Sequence, residues 1–228
     1  MKRLVLLVLG LAFSGIAASA QGVRALDRGS FTITVNGQRV GREDFTISGT
    51  PGANGMEYLS KATVVYGDKR LNPSLWSDSL GAPARYTIDV KGTSGASERW
   101  MGSISRGRVS ARIDNARGPS EREYVVADGA VLVDDDVFHQ YFFVALRGDK
   151  PGIAIVVPRR NAQMLLKPSA GGSERLTIGT ATVEARHLIF TEPSGAVREV
   201  WVDSAGRVLK VSIPARNVIA LRDDPPSP

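Results

Sequence analysis

Apolar and polar residues alternate along much of the chain, a pattern typical of half-buried antiparallel strands. The clearest early run, residues 31–35, leads into Asn36 and Gly37, the dipeptide favoured in two-residue hairpin turns. A second alternating run begins directly after this dipeptide, at residues 38–41. The pattern therefore predicts that the chain opens with a β-hairpin.

The side-chain parity changes within the second strand of this hairpin. In a two-residue hairpin Ile33 faces Val40, yet the next apolar positions, Phe45 and Ile47, have the opposite parity to Val40. A β-bulge near Gly41 would reconcile the two, because glycine tolerates the required backbone. A turn of three residues is the other solution.

Further short strands are predicted throughout the rest of the chain. They cover residues 56–66, 85–90, 98–104, 109–113, 123–126, 152–157, 164–167, 174–178, 181–190, 197–202, 208–213 and 218–221. The glycine-containing segments 92–95 and 171–173 lie between such strands and are predicted to be hairpin turns. A phosphate-binding loop would need Gly-Lys-Ser/Thr followed by a helix, and neither segment has that form.

One segment has helical rather than strand periodicity. Its apolar residues fall on one face at helical spacing: Phe138, Tyr141, Phe142, Ala145 and Leu146. The acidic run 134–136 complements the N-terminal end of a helix dipole, and Arg147 and Gly148 suit its C-terminal end. We predict one helix, at about residues 135–147, packed in the core.

The predicted fold is mainly β. An antiparallel sheet of many strands must curl or close to protect its edges, and one apolar helix would fill the concave side. We therefore expect a strongly curved antiparallel sheet, an open or half β-barrel, with helix 135–147 packed in or across it. A closed barrel and a β-sandwich are the alternatives.

The first twenty residues have the three parts of a secretory signal peptide. Lys2 and Arg3 precede an apolar run at 4–13, and Ala18-Ser19-Ala20 forms a small-x-small cleavage site. We predict an exported protein, periplasmic or secreted, without a transmembrane segment after cleavage; an uncleaved anchor is the alternative.

The rest of the chain shows no sign of a division into domains. It carries neither an internal repeat nor a low-complexity linker. We predict a single β-rich domain at residues 21–222, followed by a disordered tail at 223–228, which is rich in aspartate and proline.

Two hairpin sequences carry a family resemblance. They are VNGQRVG at 35–41 and EVWVDSAGRVLK at 199–210, set within the order signal peptide, hairpin, long antiparallel run, helix and final hairpin. In this arrangement the chain resembles exported bacterial proteins of unknown function whose fold is similar to periplasmic lipoprotein carrier proteins. The resemblance implies a half barrel with an apolar cavity and a hydrophobic ligand, and it brings no catalytic residues.

Composition and charge exclude several classes of protein. The 228 residues include no cysteine, which excludes disulfides, thiolate metal sites and cysteine nucleophiles. The formal net charge of +6 is modest, and the basic residues are scattered rather than clustered beside aromatic residues. We therefore expect no nucleic-acid partner.

The titratable residues offer little that favours catalysis. Asp134, Asp135, Asp136 and His139 could form a cation site, but three consecutive carboxylates cannot all point at one ion from a regular element. We interpret them as the start of a helix with a solvated acidic face. His139 and His187 lack a nearby nucleophile motif such as G-x-S-x-G. No catalytic residue, metal or cofactor is predicted.

Aromatic residues are the candidates for ligand binding, with ordinary core packing as the alternative. The candidate set is Phe138, Tyr141, Phe142, Trp76, Trp100 and Trp201. The leading hypothesis is an exported non-enzymatic binding protein for a lipid or other hydrophobic molecule. The alternative is a structural or protein-interaction module of the cell envelope with a packed core, and a hydrolase comes third. A cavity of several hundred Å³ beneath the helix would favour binding.

Overall fold

The structure is a computed structural model that describes residues 22–148 and 150–227. The predicted signal peptide, residues 1–20, lies outside the described residues. The strands of the first half are β1 (Arg24–Val35), β2 (Gln38–Gly52), β3 (Gly55–Tyr66), β4 (Lys69–Ser77), β5 (Pro83–Gly92), β6 (Ser97–Ser105), β7 (Arg108–Asn115), β8 (Gly118–Val125) and β9 (Val131–Leu132). Helix α1 (Tyr141–Leu146) is followed by β10 (Ile153–Val157), β11 (Ala162–Ile178), β12 (Ala181–Thr191), β13 (Val197–Val202), β14 (Val208–Ile213) and β15 (Val218–Arg222).

All the described strands belong to one sheet of 15 strands, in the order β8-β7-β6-β5-β4-β3-β2-β1-β15-β14-β13-β12-β11-β10-β9. Neighbours pair antiparallel except β9 and β10, which are parallel. The first and last described strands pair at the centre, so β8 and β9 stand at the two ends of this strand order. The sheet curls until its ends meet, since Gln163 of β11 donates a hydrogen bond of 2.6 Å to the Val125 carbonyl of β8. The predicted strongly curved antiparallel sheet is confirmed.

The opening hairpin contains the predicted bulge. Asn36 and Gly37 form the turn with φ angles of 50° and 76°, and Ile33 pairs with Gly41 while Thr34 pairs with Arg39. Val40 is therefore the extra residue, which reverses the parity ahead of Phe45. A Cβ atom on Gly41 would lie 2.1 Å from the Val65 carbonyl oxygen, so the bulge needs glycine there.

The predicted turn at 171–173 is wrong. These residues lie inside β11, which continues past them with a bulge between Ala170 and Gly172. A Cβ atom on Gly171 would lie 2.3 Å from Nδ1 of His187 on β12. Gly171 lets the side chain of His187 on the neighbouring strand approach the backbone closely, and the chain does not turn there.

Helix α1 is much shorter than predicted, with six residues at 141–146 in place of 135–147. Asp136 has a φ of 63°, a left-handed conformation that interrupts helix formation, and the acidic run precedes the helix instead of forming its first turn. The periodicity nevertheless located the right core segment, because Tyr141 and Phe142 are both buried.

The concave side of the sheet is filled by one stretch of chain, residues 126–146, which we term the inner segment. Every residue from 130 to 145 is buried except Asp135 and Asp136, which are half-buried. Its apolar side chains join the inward-facing residues of both halves of the sheet in one core. The core therefore sits between the curved sheet and the inner segment.

A second, smaller core lies on the opposite face of the sheet. It consists of Ile178, Ala185, Trp201 and Leu209. Val200 and Val202 both belong to the main core, so Trp201 between them points the other way. The tip of the β11–β12 hairpin reaches the end of β15, where a Cβ on Gly179 would lie 3.1 Å from the Asp223 carbonyl oxygen.

The described part of the C-terminal tail makes specific contacts with the sheet. The backbone N–H of Asp223 donates to the Ser30 carbonyl at 2.9 Å. The carboxylate of Asp223 accepts hydrogen bonds from Ser30 Oγ at 2.8 Å and Thr32 Oγ1 at 2.7 Å. Arg207 donates to the carbonyl of Ser227.

Candidate functional site

A half-open cavity of about 1030 Å³ lies at one end of the curved sheet. Its walls come from the start of β1, from β3, α1 and β12, and from the turn between β13 and β14. Ser227 of the tail also lines it. We term this space the mouth cavity, and its volume is at the upper end of the range of small-molecule sites in proteins.

One part of the mouth cavity wall is apolar. Leu26, Tyr58, Phe142 and Leu146 all line it. The ring of Phe142 packs edge-on against Tyr58, with centroids 5.8 Å apart, and Leu146 leaves 43% of its surface exposed. The last turns of the inner segment therefore present apolar surface to the cavity.

The other part of the wall is basic, with Arg24, Arg28, Arg186 and Arg207. Arg207 is paired with Asp203, through Nε and Oδ2 at 2.7 Å. Within the described part of the chain, the side chains of the other three arginines form neither an ion pair nor a hydrogen bond.

Among the described residues in the wall of the mouth cavity, only Asp27 has a carboxylate side chain, and this carboxylate is neutralised. It is buried and forms two contacts with the guanidinium of Arg222, at 2.7 Å and 3.0 Å. Gly29 makes room for this pair, because a Cβ atom there would lie 2.6 Å from Nη2 of Arg222. The cavity consequently keeps an excess of positive charge.

A buried polar cluster anchors the inner segment to the first half of the sheet. Glu43 of β2 accepts hydrogen bonds from the backbone N–H groups of Phe138, at 2.6 Å, and His139, at 3.0 Å, and it contacts Nδ1 of His139. Nε2 of His139 lies 3.2 Å from Ser60 Oγ of β3, and Phe45 stacks on the imidazole ring.

Glu43, His139 and Ser60 have the order of a carboxylate–imidazole–hydroxyl catalytic relay. All three are at most 1% exposed, and none of them lines the mouth cavity. A substrate carbonyl therefore has no route to Ser60, and we interpret the cluster as an anchor. Sequence analysis missed Glu43, although its parity with Phe45 and Ile47 marks an inward-pointing charge that must find partners in the core.

A second polar cluster fixes the start of the inner segment. Asp134 is buried and accepts hydrogen bonds from Tyr86 Oη and Arg159 Nε, both at 2.9 Å. Burial raises the pKa of Asp134, and the charge and hydrogen bond of Arg159 oppose that rise only in part. The backbone N–H of Asp134 donates to Oε1 of Gln140 at 2.7 Å, which closes the irregular stretch into a loop.

The interpretation of 134–136 as a solvated acidic helix start is wrong, since each aspartate is paired with an arginine. Asp135 pairs with Arg160, and Asp136 Oδ1 accepts from Arg216 Nη2 at 2.6 Å. These pairs tie the acidic run to two separate turns of the chain, and the left-handed backbone of Asp136 keeps the run out of a helix.

The arginines come from two similar turns that sequence analysis missed. Pro158–Arg160 and Pro214–Arg216 are both 3₁₀ turns, and each is followed by a left-handed asparagine, Asn161 and Asn217, with φ angles of 52° and 50°. The repeated sequence Pro-x-Arg-Asn was the signal that could have located them.

The structure does not bring the six predicted ligand-binding residues together. Phe142 lines the mouth cavity, whereas Phe138 packs inside the core and Tyr141 accepts a 2.6 Å hydrogen bond from Arg198. Trp100 faces inward elsewhere in the sheet.

Trp76 and Trp201 lie on the outer face. Trp76 follows the inward-facing Leu75 and has the guanidinium of Arg85 5.8 Å from its ring. Trp201 is stacked between the ring of His187, with centroids 4.2 Å apart, and the ammonium group of Lys210.

The described residues offer neither a metal site built from acidic or imidazole side chains nor a membrane-spanning helix. Residues 22–148 and 150–227 contain no group of three or more His, Cys, Asp or Glu side chains placed to hold a metal ion. Over the same ranges, none of the helices has the length and apolar character needed to span a bilayer.

The comparisons with known proteins support the fold. The chain is similar to the crystal structure of a β-barrel-like protein of domain of unknown function DUF1849 from Brucella abortus. The two share 8% sequence identity and a TM-score of 0.53, and the match covers 89% of this chain and 98% of that one. No protein-family model and no curated protein matches the chain. The likeness supports an uncharacterised β-barrel-like fold and does not point to lipoprotein carriers specifically.

Proposed function

We propose that this chain is an exported, non-enzymatic binding protein that takes an amphipathic molecule with an acidic head group into the mouth cavity. The observation that supports this most directly is an apolar wall beside three arginines that have no ion-pair partner among the described residues, around one space of about 1030 Å³. The signal-peptide pattern of residues 1–20 supports a periplasmic or secreted location.

The apolar wall sets what the body of the ligand must be. Phe142, Tyr58 and Leu146 would remove hydrocarbon from water, and each buried methylene contributes about 0.8 kcal/mol. Two added methylenes should therefore tighten binding about tenfold, for example from decanoate to dodecanoate.

The arginines set what the head group must be. A guanidinium presents a planar pair of donors that matches a carboxylate or a phosphate, and such charge-assisted bonds are stronger than neutral ones. Because Arg24, Arg28 and Arg186 have no carboxylate partner among the described residues, an acidic ligand would supply the missing charge.

The test uses ligands that share a twelve-carbon chain and differ in the head group. The mature protein is titrated with dodecanoate, dodecanol and dodecyltrimethylammonium by calorimetry, and we expect dodecanoate to bind best. Arg186→Gln should weaken dodecanoate about tenfold, the equivalent of about 1.4 kcal/mol, and leave dodecanol unchanged. The control is Arg122→Gln, exposed on β8 and outside the cavity wall. Equal binding of all three head groups would contradict the acidic-head proposal.

A packed envelope-interaction module is the second candidate, and the filled concave side supports it. Native mass spectrometry of mature protein, purified from an exporting host without detergent, separates the two. An extra mass of a few hundred daltons that is lost on denaturation favours the carrier. A bare polypeptide mass with no dodecanoate binding favours the interaction module.

A further inference from the structure

A smaller cavity lies where the two ends of the sheet meet, far along the strand order from the mouth cavity. Its volume is about 130 Å³. Trp100 of β6 and Tyr124 of β8 line one side of it, and Leu132 of β9 and Val156 of β10 line the other. We term it the seam cavity.

Two side chains that line the seam cavity carry a buried polar atom without a hydrogen-bond partner among the described residues. Trp100 Nε1 and Tyr124 Oη are both buried, and neither has a hydrogen-bond partner among residues 22–148 and 150–227. An unsatisfied buried donor is costly, so native proteins usually supply an acceptor. Both side chains line the same space, which therefore suits a molecule that carries one.

The indole of Trp100 is held in place and cannot turn away to find another partner. It lies across Gly102, where a Cβ atom would come within 2.2 Å of Cη2 of the ring. Tyr86 packs against it with centroids 5.6 Å apart, and Trp100 is 1% exposed. The N–H donor is thus preorganised, and such donors bind without a cost of reorientation.

The size and the walls of the seam cavity limit what can occupy it. A dry engineered cavity of about 150 Å³ binds benzene, so about 130 Å³ is close to the size of one ring. Ile104, Val109 and Leu132 supply apolar walls. The exposed Arg106 and Asp128 also line it and carry opposite charges, which favours a neutral ligand.

We propose that the seam cavity binds a neutral single-ring molecule bearing an oxygen, which accepts the Trp100 indole N–H and exchanges a hydrogen bond with Tyr124. The ring would occupy the apolar volume and the oxygen would satisfy the two orphaned groups. This site is independent of the mouth cavity and of the function proposed for it.

Phenol and toluene test the proposal, because they differ only in that a hydroxyl replaces a methyl. Each is titrated into the full mature protein and followed by ligand-observed NMR. We expect phenol to bind the wild type more tightly than toluene does. Trp100→Phe should weaken phenol about tenfold and leave toluene unchanged. Trp201→Phe is the matched control, because it removes another buried indole N–H that lies outside the cavity.

Tyr124→Phe provides a second variant should Trp100→Phe fail to fold, since Tyr124 is only half-buried. It should also weaken phenol severalfold without affecting toluene. A crystal soaked in phenol should show the ring between Trp100 and Leu132. The proposal is overturned if phenol fails to bind at millimolar concentration, if both variants bind it as the wild type does, or if the cavity holds only ordered water.

Discussion

At the scale of single residues, the interior depends on a few charges that are buried with all their partners. Glu43 accepts two backbone hydrogen bonds from the inner segment and contacts the imidazole of His139, and its side chain is fully buried. Breaking such a cluster leaves groups buried without partners, which costs far more than losing an exposed ion pair. Removing the Glu43 carboxylate alone would therefore leave two backbone N–H groups and the His139 imidazole buried without that partner.

We expect Glu43→Gln to lower the free energy of unfolding by about 2–4 kcal/mol, because the amide keeps the volume but loses the charge. Urea unfolding followed by circular dichroism measures the change. Glu121→Gln, at an exposed position on β8, is the control and should stay within about 0.5 kcal/mol of the wild type. A Glu43→Gln loss no larger than the control would show that the buried cluster is not an anchor.

At the scale of elements, turn chemistry predicted the first hairpin, but it wrongly predicted a turn at 171–173, and tertiary contacts decided the length of the helix. Asn36 and Gly37 identified the first hairpin, and the parity of Phe45 identified its bulge. Helix 135–147 was predicted too long because the arginine partners of residues 134–136 lie far away in sequence. Local periodicity contains no information about such partners.

Asp223 stabilises one end of the pairing between β1 and β15. Burial acts to raise the pKa of Asp223, but the hydrogen bonds from Thr32 and Ser30 and the charge of Arg42 outweigh it and lower the pKa below its usual 3.8. A carboxyl with a lowered folded-state pKa stabilises the fold above the unfolded pKa, and this contribution is lost as pH falls through the folded value.

We therefore expect Asp223→Asn to cost about 1 kcal/mol of stability at pH 7 and less near pH 2, because the wild-type carboxyl loses its charge as pH falls through its lowered pKa. Urea midpoints at the two pH values measure the difference. Asp224→Asn, whose side chain forms no ion pair with a described residue, serves as the control. A cost that is the same at both pH values would mean that the charge of Asp223 contributes nothing to the pairing of β1 with β15.

At the scale of the whole molecule, the sequence predicted the curved sheet and its filled concave side, but it did not predict the site. The candidate aromatic residues were selected by type, and only Phe142 reached the mouth cavity. Trp76 and Trp201 alternate with inward-facing residues and therefore point outward. The strands are irregular beside both residues, and the sequence did not show which parity would face the core. Arg24 and Arg186 come together only because β1 and β12 meet at the same end of the curved sheet.

The inner segment should make the two halves of the sheet unfold as one unit. Glu43 and Ser60 hold it to β2 and β3, while Arg159 and Arg216 hold it to turns in the other half. We expect coincident urea transitions for Trp100, observed in a Trp76→Phe/Trp201→Phe variant, and for Trp201, observed in a Trp76→Phe/Trp100→Phe variant. For each variant, the fluorescence midpoint is compared with the circular-dichroism midpoint of the same variant. Differences in overall stability between the two variants then cancel. Fluorescence midpoints that depart from circular dichroism in opposite directions would mean that the halves unfold separately and that the inner segment belongs to only one of them.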